Sequence, residues 1–388
     1  MFQRIWIAVL VMGATCLSVD CVVNADQIAD QQIQDAVQPF IDRQELAGAV
    51  MLVANVDDIL SVTAVGDANR EKNQKMATNA IFWIASQSKP MTAVSLMMLV
   101  DEGKISVNDP VDKYLPEFRE QMVVAERDEN RCLLVKPRRP ITIANLLSHT
   151  SGLPFRSNLE VPTLDHLPLA DRVRSYAMTP LDYQPGSEYR YSNAGINTAA
   201  RIIEVVSGEP FHKFISKRLF EPLGMVDTTF WPDDQQVARL AVSYRPGEGG
   251  EGLQATTVDQ LRYPLSNRRD RYAMPAGGLF STANDLSRFY RMLAGGGHFD
   301  GKDYLSTASV EALTSKQTPD KLASQYGFGF STGGNRFGHG GAYSTNSYYD
   351  RDQGLIFVWL VQHAGFPGKG GQSQEAFRQA AISALGRP

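Results

Sequence analysis

Three textures of hydrophobic and polar positions succeed one another along this 388-residue chain. In residues 26–45, Ile33, Val37 and Ile41 recur every four positions among Gln and Asp, which predicts an amphipathic helix. Residues 47–53 and 59–65 are β-rich runs around Asn55-Val56-Asp57-Asp58, a hairpin signature. An apolar stretch rich in Met and Leu then spans 86–102 and stops at Gly103, predicting a second helix. From about 108 to 270, Pro-rich loops separate short helical stretches at 142–149, 169–178 and 194–207. Gly152 and Gly208 stand where two of these would stop. Strand patterns are scarce in this middle, and the densely charged segment 117–140 reads as a solvated loop.

Past Gly277 strand patterns return. Thr282-Ala283-Asn284-Asp285 resembles a capping box opening a helix. Residues 325–332, 336–343, 345–350 and 355–362 read as successive antiparallel strands, and 375–385 as a closing helix. Strands at both ends thus flank a helical middle. The expected fold is α/β of the α+β kind: one antiparallel sheet built from both termini, flanked by helices, with an inserted all-α domain. The expected division is a discontinuous sheet domain, 26–107 and 271–388, and a helical domain, 108–270, with a cleft between them.

The first residues have another character. Arg4 precedes an apolar run, 5–17, too short to span a bilayer, which needs about 20 residues. Val23-Asn24-Ala25 then offers a cleavage site before Asp26. This predicts a secretory signal peptide over 1–25 and export to the periplasm or the cell exterior. An uncleaved anchor is the plainer alternative. Thr15 and Asp20, before Cys16 and Cys21, argue against a lipid anchor. Cleavage would leave Cys132 alone, so the mature chain would hold together without an internal disulfide.

Composition narrows function mainly by exclusion. With 38 Lys+Arg against 42 Asp+Glu, a net charge of -4 and 43% hydrophobic residues, the chain is ordinary globular protein with no basic field for nucleic acid. It contains no G-x-S-x-G, no P-loop and no H-E-x-x-H. Its six His show no metal-ligand spacing, so neither a metal nor a cofactor is expected.

Three short motifs carry candidate chemistry. Ser86-Gln87-Ser88-Lys89 opens the apolar helix, so Ser86 and Lys89 share a face one turn apart. A Lys desolvated there has a lowered pKa and can act as a base. Ser88 is a rival nucleophile, but adjacent helical positions diverge. A Ser cap beside a surface Lys is the plainer reading. Tyr191-Ser192-Asn193 follows a Pro-Gly turn and precedes a helix. Tyr191 can relay a proton and Asn193 can orient a substrate; the plainer reading makes Asn193 a helix cap. His339-Gly340-Gly341-Ala342 lies in an expected strand, where glycines suggest close approach by a ligand or another backbone. A bulge with an incidental His is the alternative.

Taken in order and at these spacings, the motifs resemble those of the serine β-lactamase and penicillin-binding protein superfamily, in the branch of class C β-lactamases, esterases and D-peptidases. Leu146-Leu147-Ser148-His149-Thr150-Ser151-Gly152, residues 219–225 and residues 276–281 are similar to that branch as well. The resemblance implies Ser86 as acylated nucleophile, with Lys89 and Tyr191 sharing acid–base work. It implies an oxyanion hole from the Ser86 and Ala342 N–H groups. Asn193, His339, Gly340 and Gly341 would contact substrate, and His149 and Gly152 would be structural. One departure is His339-Gly340 where β-lactamases often carry Lys-Thr, which removes a fixed cation and a hydroxyl. Arg336 is a possible substitute cation. The expected function is therefore an exported serine hydrolase for a small ester, amide or peptide, esters favoured. A class C-like β-lactamase or D-alanyl-D-alanine-type peptidase comes second, and a non-catalytic binder of cell-wall fragments third.

Overall fold

The computed structural model describes residues 25–387. The expected leader lies outside them apart from Ala25, where the first helix begins. The chain opens with α1 (Ala25–Asp42), β1 (Gly48–Ala54), β2 (Ile59–Asn69) and β3 (Gln74–Lys75). A 3-10 turn at Ala85–Gln87 leads into α2 (Ser88–Asp101). The middle holds α3 (Ile143–Leu147), α4 (Leu169–Ala177) and α5 (Asn193–Ser207) among shorter pieces. After α6 (Ala283–Ala294) come β4 (Ser331–Gly333), β5 (Arg336–Gly340), β6 (Asn346–Asp350), β7 (Leu355–Leu360) and α7 (Ser373–Leu385).

The seven strands form one sheet in the order β4-β5-β6-β7-β1-β2-β3, antiparallel throughout. The N-terminal β1 and the C-terminal β7 pair at its centre, Val50 opposite Leu360 and Met51 opposite Trp359. Both strands are buried along their whole length, so they read as continuous apolar runs rather than alternations. Alternation survives in where the side chains go. Val50, Leu52, Ile356 and Val358 face the large core around α2, whereas Met51, Val53, Phe357 and Trp359 face α1 and α7. On that outer face Ile33 and Val37 of α1 and Phe377 of α7 complete the layer. Each fully buried side chain of this size contributes roughly 1.5–3 kcal/mol of transfer free energy. The β1–β2 turn is closed by Asn55 Oδ1, which accepts from the Asp57 and Asp58 N–H groups at 2.8 and 2.6 Å.

On the other side of the sheet, α2 is buried on every face from Ser88 to Leu99 and packs against α5. Any polar group along that stretch is therefore shielded from solvent.

Four local readings change. Residues 117–140 are not all loop, because Val123–Arg127 and Cys132–Val135 form a hairpin. Most of its residues are exposed on both faces, so it carries no apolar alternation to betray it. A second hairpin, Ser243–Pro246 with Leu253–Thr256, lies in the same helical stretch. The strand expected over 325–332 shrinks to β4. Gly329 is left-handed (φ 79°) and its Cα lies against α2, where a Cβ would meet Ala93 Cβ at 2.6 Å, so the chain folds onto the helix instead of a ladder. Finally, α3 ends at Leu147; Gly208 (φ 73°) does cap α5, whereas Gly152 lies beyond the end of α3.

Candidate active site

The short strand Phe82–Trp83 runs into α2 through Ala85, which is left-handed at φ 47°. That conformation costs an L-residue roughly 1–2 kcal/mol, and it lets the chain turn sharply so that Ser86 stands on the 3-10 turn, partly exposed, just ahead of α2. Lys89, fully buried in the first turn of α2, donates from Nζ to Ser86 Oγ at 3.0 Å and to the Ala276 carbonyl at 2.6 Å. Among the described residues no carboxylate pairs with it. Burial therefore pushes its pKa well below the usual lysine range. Ser88, by contrast, points inward: its Oγ donates to the Ala85 carbonyl at 2.7 Å and accepts from Leu279 N–H at 3.2 Å.

Tyr191 arrives on the loop before α5, and Lys89 Nζ lies 4.6 Å from its ring centroid. Burial raises the phenol's pKa, and a hydrogen-bonding contact with the Ser86 hydroxyl works the other way, so the phenol stays protonated. The helix cap falls to Ser192, whose Oγ accepts from Gly195 N–H at 3.1 Å. Asn193 is thereby released from capping. Its own N–H donates to the Phe155 carbonyl, and its buried Oδ1 has no partner. Such an orphaned acceptor next to Tyr191 is a group waiting for a donor.

On β5, His339 points to the α2 side with Phe337, while Arg336, Gly338 and Gly340 face the other way. Arg336 pairs with Asp350 at 2.7 Å and lies over the Tyr348 ring, so it does not stand in for a missing cation at His339. Nor does His339 itself supply a cation. The ring is buried, its Nδ1–H donates to the Gly340 carbonyl, and its Nε2 accepts from Tyr326 at 2.9 Å, with Tyr191 Oη 3.5 Å away. Burial and the neighbouring Lys89 push its pKa down to about 3. His339 is a neutral wall of the site, set behind two tyrosines.

The two glycines do different things. A Cβ on Gly341 would fall 2.4 Å from the Ile84 carbonyl and 2.3 Å from Thr345 Oγ1, so only glycine permits this approach of the 341–345 turn to the Ser86 segment. Beyond it, Tyr343 and Ser344 are left-handed (φ 62° and 70°). Neither the Ser86 nor the Ala342 N–H finds an acceptor among the described residues. Gly340 is exposed, and a Cβ there would meet only the Thr345 carbonyl at 3.7 Å.

Two contributors escaped the sequence reading, and a third, His149, was expected there only as a structural residue. Tyr326 holds His339. Asn197 accepts from Ala276 N–H at 3.1 Å and donates to Tyr176 Oη at 3.0 Å, and so steadies the carbonyl that holds Lys89. His149 packs on Tyr191 with ring centroids 4.5 Å apart. Asn197 had one signal: it lies four positions after Asn193 on an otherwise apolar helix face. Among the described residues no group of three or more His, Cys, Asp or Glu could hold a metal.

Known proteins are similar to this chain over most of its length. Residues 33–381 match the family described as Beta-lactamase. Esterase EstB of Burkholderia gladioli is 28% identical over 306 residues, 71% of this chain and 72% of its own. Penicillin-binding protein 4 of Amycolatopsis lactamdurans is 30% identical over 319 residues, 80% of this chain and 78% of its own. The solved structure of EstCE1, described as a hydrolase with promiscuous acyltransferase activity, is similar with a TM-score of 0.76 at 24% identity, covering 92% of this chain and 99% of that one. At that identity the likeness carries the fold alone. The match over nearly the whole described chain, on this sheet-and-helix fold, means that the chain belongs to the β-lactamase family of serine hydrolases.

Proposed function

We propose that the protein is an exported serine hydrolase that cleaves esters, and amides less readily, through an acyl-enzyme on Ser86. The observation that carries this reading is Lys89: a buried amine without a carboxylate partner, 3.0 Å from the Ser86 hydroxyl. A neutral Lys89 takes the Ser86 proton as Oγ attacks the substrate carbonyl carbon. The negative charge on the carbonyl oxygen is met by the free N–H groups of Ser86 and Ala342. Tyr191, kept protonated by burial, gives its proton to the departing alkoxide and recovers one from the Lys89 ammonium. Water then attacks the acyl-enzyme through the same groups in reverse. In this reading Ser86, Lys89 and His339 come from the sheet part, 26–107 and 271–388, and Tyr191 and Asn193 from the helical part, 108–270, with the cleft between them. Asn193 Oδ1 accepts a donor from the substrate, and His339, Gly340 and Gly341 wall its binding site.

Ester preference is supported by the neutral His339 and the outward Arg336, neither of which offers a fixed cation to a substrate carboxylate. EstB is described as an esterase. A peptidase reading comes second, favoured by the relative described as a penicillin-binding protein. Short-chain esters, a chromogenic cephalosporin and D-amino-acid amides compared on the protein without residues 1–25 separate them. Ester turnover is expected to lead; a larger kcat/KM for the cephalosporin would reverse the ranking. A fluorophosphonate that leaves no adduct on Ser86 would favour the silent binder. Export is proposed from the sequence of residues 1–25 alone, and intact mass of secreted protein beginning at Asp26 is the result it requires.

The state of His339 gives a sharper expectation. A His with an ordinary pKa of about 6.5 would favour a carboxylate-bearing ester increasingly as pH falls. A ring already neutral at pH 5.5 cannot. The ratio of kcat/KM for such an ester over its neutral analogue is therefore expected to stay flat from about pH 8 to about 5.5. A ratio that climbs toward low pH, and is flattened by His339→Gln, would show that the ring titrates against substrate.

A further inference from the structure

We propose that His149 is the positioning residue for Tyr191, acting through hydrogen bonds that grip the loop immediately on either side of it. The inference rests on Tyr191 carrying the proton in the Ser86 site.

His149 is fully buried and left-handed at φ 57°, a backbone that non-glycine residues adopt sparingly. Its carbonyl accepts from the Arg190 N–H at 3.0 Å and from Tyr183 Oη at 3.1 Å. Its Nδ1 accepts from the Ser192 N–H at 3.2 Å. Residues 190 and 192 are thus tied to one histidine, and Tyr191 between them has little freedom except in its side chain. The side chain is held as well: the two ring centroids are 4.5 Å apart, with the Tyr326 ring 4.7 Å away on the same histidine.

The tautomer follows from these bonds. Nδ1 accepts an amide proton, so the ring proton is on Nε2, which is buried with no partner. For packing alone this arrangement is poor, because a buried unpartnered N–H is unfavourable where an apolar side chain would have filled the space. What the histidine supplies, and a leucine would not, is the Nδ1 acceptor at the right reach from a left-handed backbone. Burial opposes a charge on the ring and holds its pKa well below the ordinary histidine value, so Nδ1 is free to accept.

Two substitutions separate gripping from filling. His149→Gly suits the left-handed backbone and deletes only the ring. His149→Asn tolerates the same backbone and returns an acceptor, Oδ1, at the same bond count from Cβ. The readouts are ester kcat and KM, fluorophosphonate labelling rate and thermal midpoint, each repeated in a Tyr191→Phe background. For H149G we expect kcat and labelling rate to fall on the order of 10–100-fold, the size of effect a misplacement near 1 Å produces, with KM changed less than about 3-fold. H149N is expected to recover most of the loss. In the Y191F background H149G is expected to add less than about 3-fold, because the group it positions has lost its hydroxyl. Losses that multiply fully in the double variant, or an H149N that folds as well as wild type yet is as slow as H149G, would overturn the inference. Should Y191F alone leave labelling unchanged, the role given to Tyr191 falls first, and that result is told apart from the others by the single variant.

Discussion

Ser86→Ala is expected to abolish fluorophosphonate labelling and to lower ester kcat/KM by about 10⁴-fold or more, while the thermal midpoint moves by no more than roughly 2 °C. The two halves come from different features of the same residue. Ser86 Oγ is the hydroxyl that Lys89 Nζ hydrogen-bonds, and without it the acyl-enzyme has no oxygen to form on. Structurally, though, it is partly exposed, and Lys89 keeps its bond to the Ala276 carbonyl when it is gone. Ser88→Ala should show the opposite pattern. It leaves the buried Leu279 N–H unpaired, which costs about 1–3 kcal/mol of stability, and it spares labelling at Ser86. Intact-mass mapping of an adduct to Ser88 in the wild-type protein would sink the assignment.

Lys89→Met is expected to lower ester kcat by about 10³-fold or more and to leave the protein at least as stable near neutral pH. A buried amine replaced by an apolar side chain of similar length removes a desolvated group from the core, against which stand two lost hydrogen bonds, to Ala276 and to Ser86. Linkage makes the claim specific. The folded pKa of Lys89 lies well below the value of about 10.4 in the unfolded chain. Between those two values the unfolded state holds the extra proton, so this residue makes stability rise with pH across the window and flatten above it. The same titration governs activity: kcat/KM should rise as Lys89 loses its proton, with a midpoint well below the ordinary lysine value. In Lys89→Met both the stability slope and the rising limb should vanish. A rising limb that survives in that variant would place the base elsewhere.

Legibility in the sequence followed one rule: patterns that depend on neighbours in the chain could be read, and those that depend on neighbours in space could not. The Ser86–Lys89 pair is one helical turn, so its contact was implicit in the spacing. The hairpin at 55–58 and the cap at Gly208 are equally local. The strand assigned to 325–332 failed because Gly329 lets the segment fold onto α2, and nothing adjacent in sequence announces that. His339 was seen as a residue but not as a state. Its charge depends on Tyr326, Lys89 and burial, none of which its own strand reveals.

By itself, then, the sequence determined the antiparallel sheet joined from both ends, the helical middle and the order of the three motifs, because periodicity and turn chemistry act over a few residues. Only the tertiary structure decided what those motifs are. It buried Lys89 where no carboxylate among the described residues meets its amine, turned Ser88 inward and left Ser86 out, freed Asn193 by giving the cap to Ser192, and neutralised His339. It also brought the His149 ring onto the Tyr191 loop from beyond α3 and set Asn197, one turn after Asn193 on α5, against the Ala276 segment. The physical reason is that protonation and positioning are set by solvent exclusion and by groups within a few ångströms, and in a folded chain most of those groups are far away in sequence.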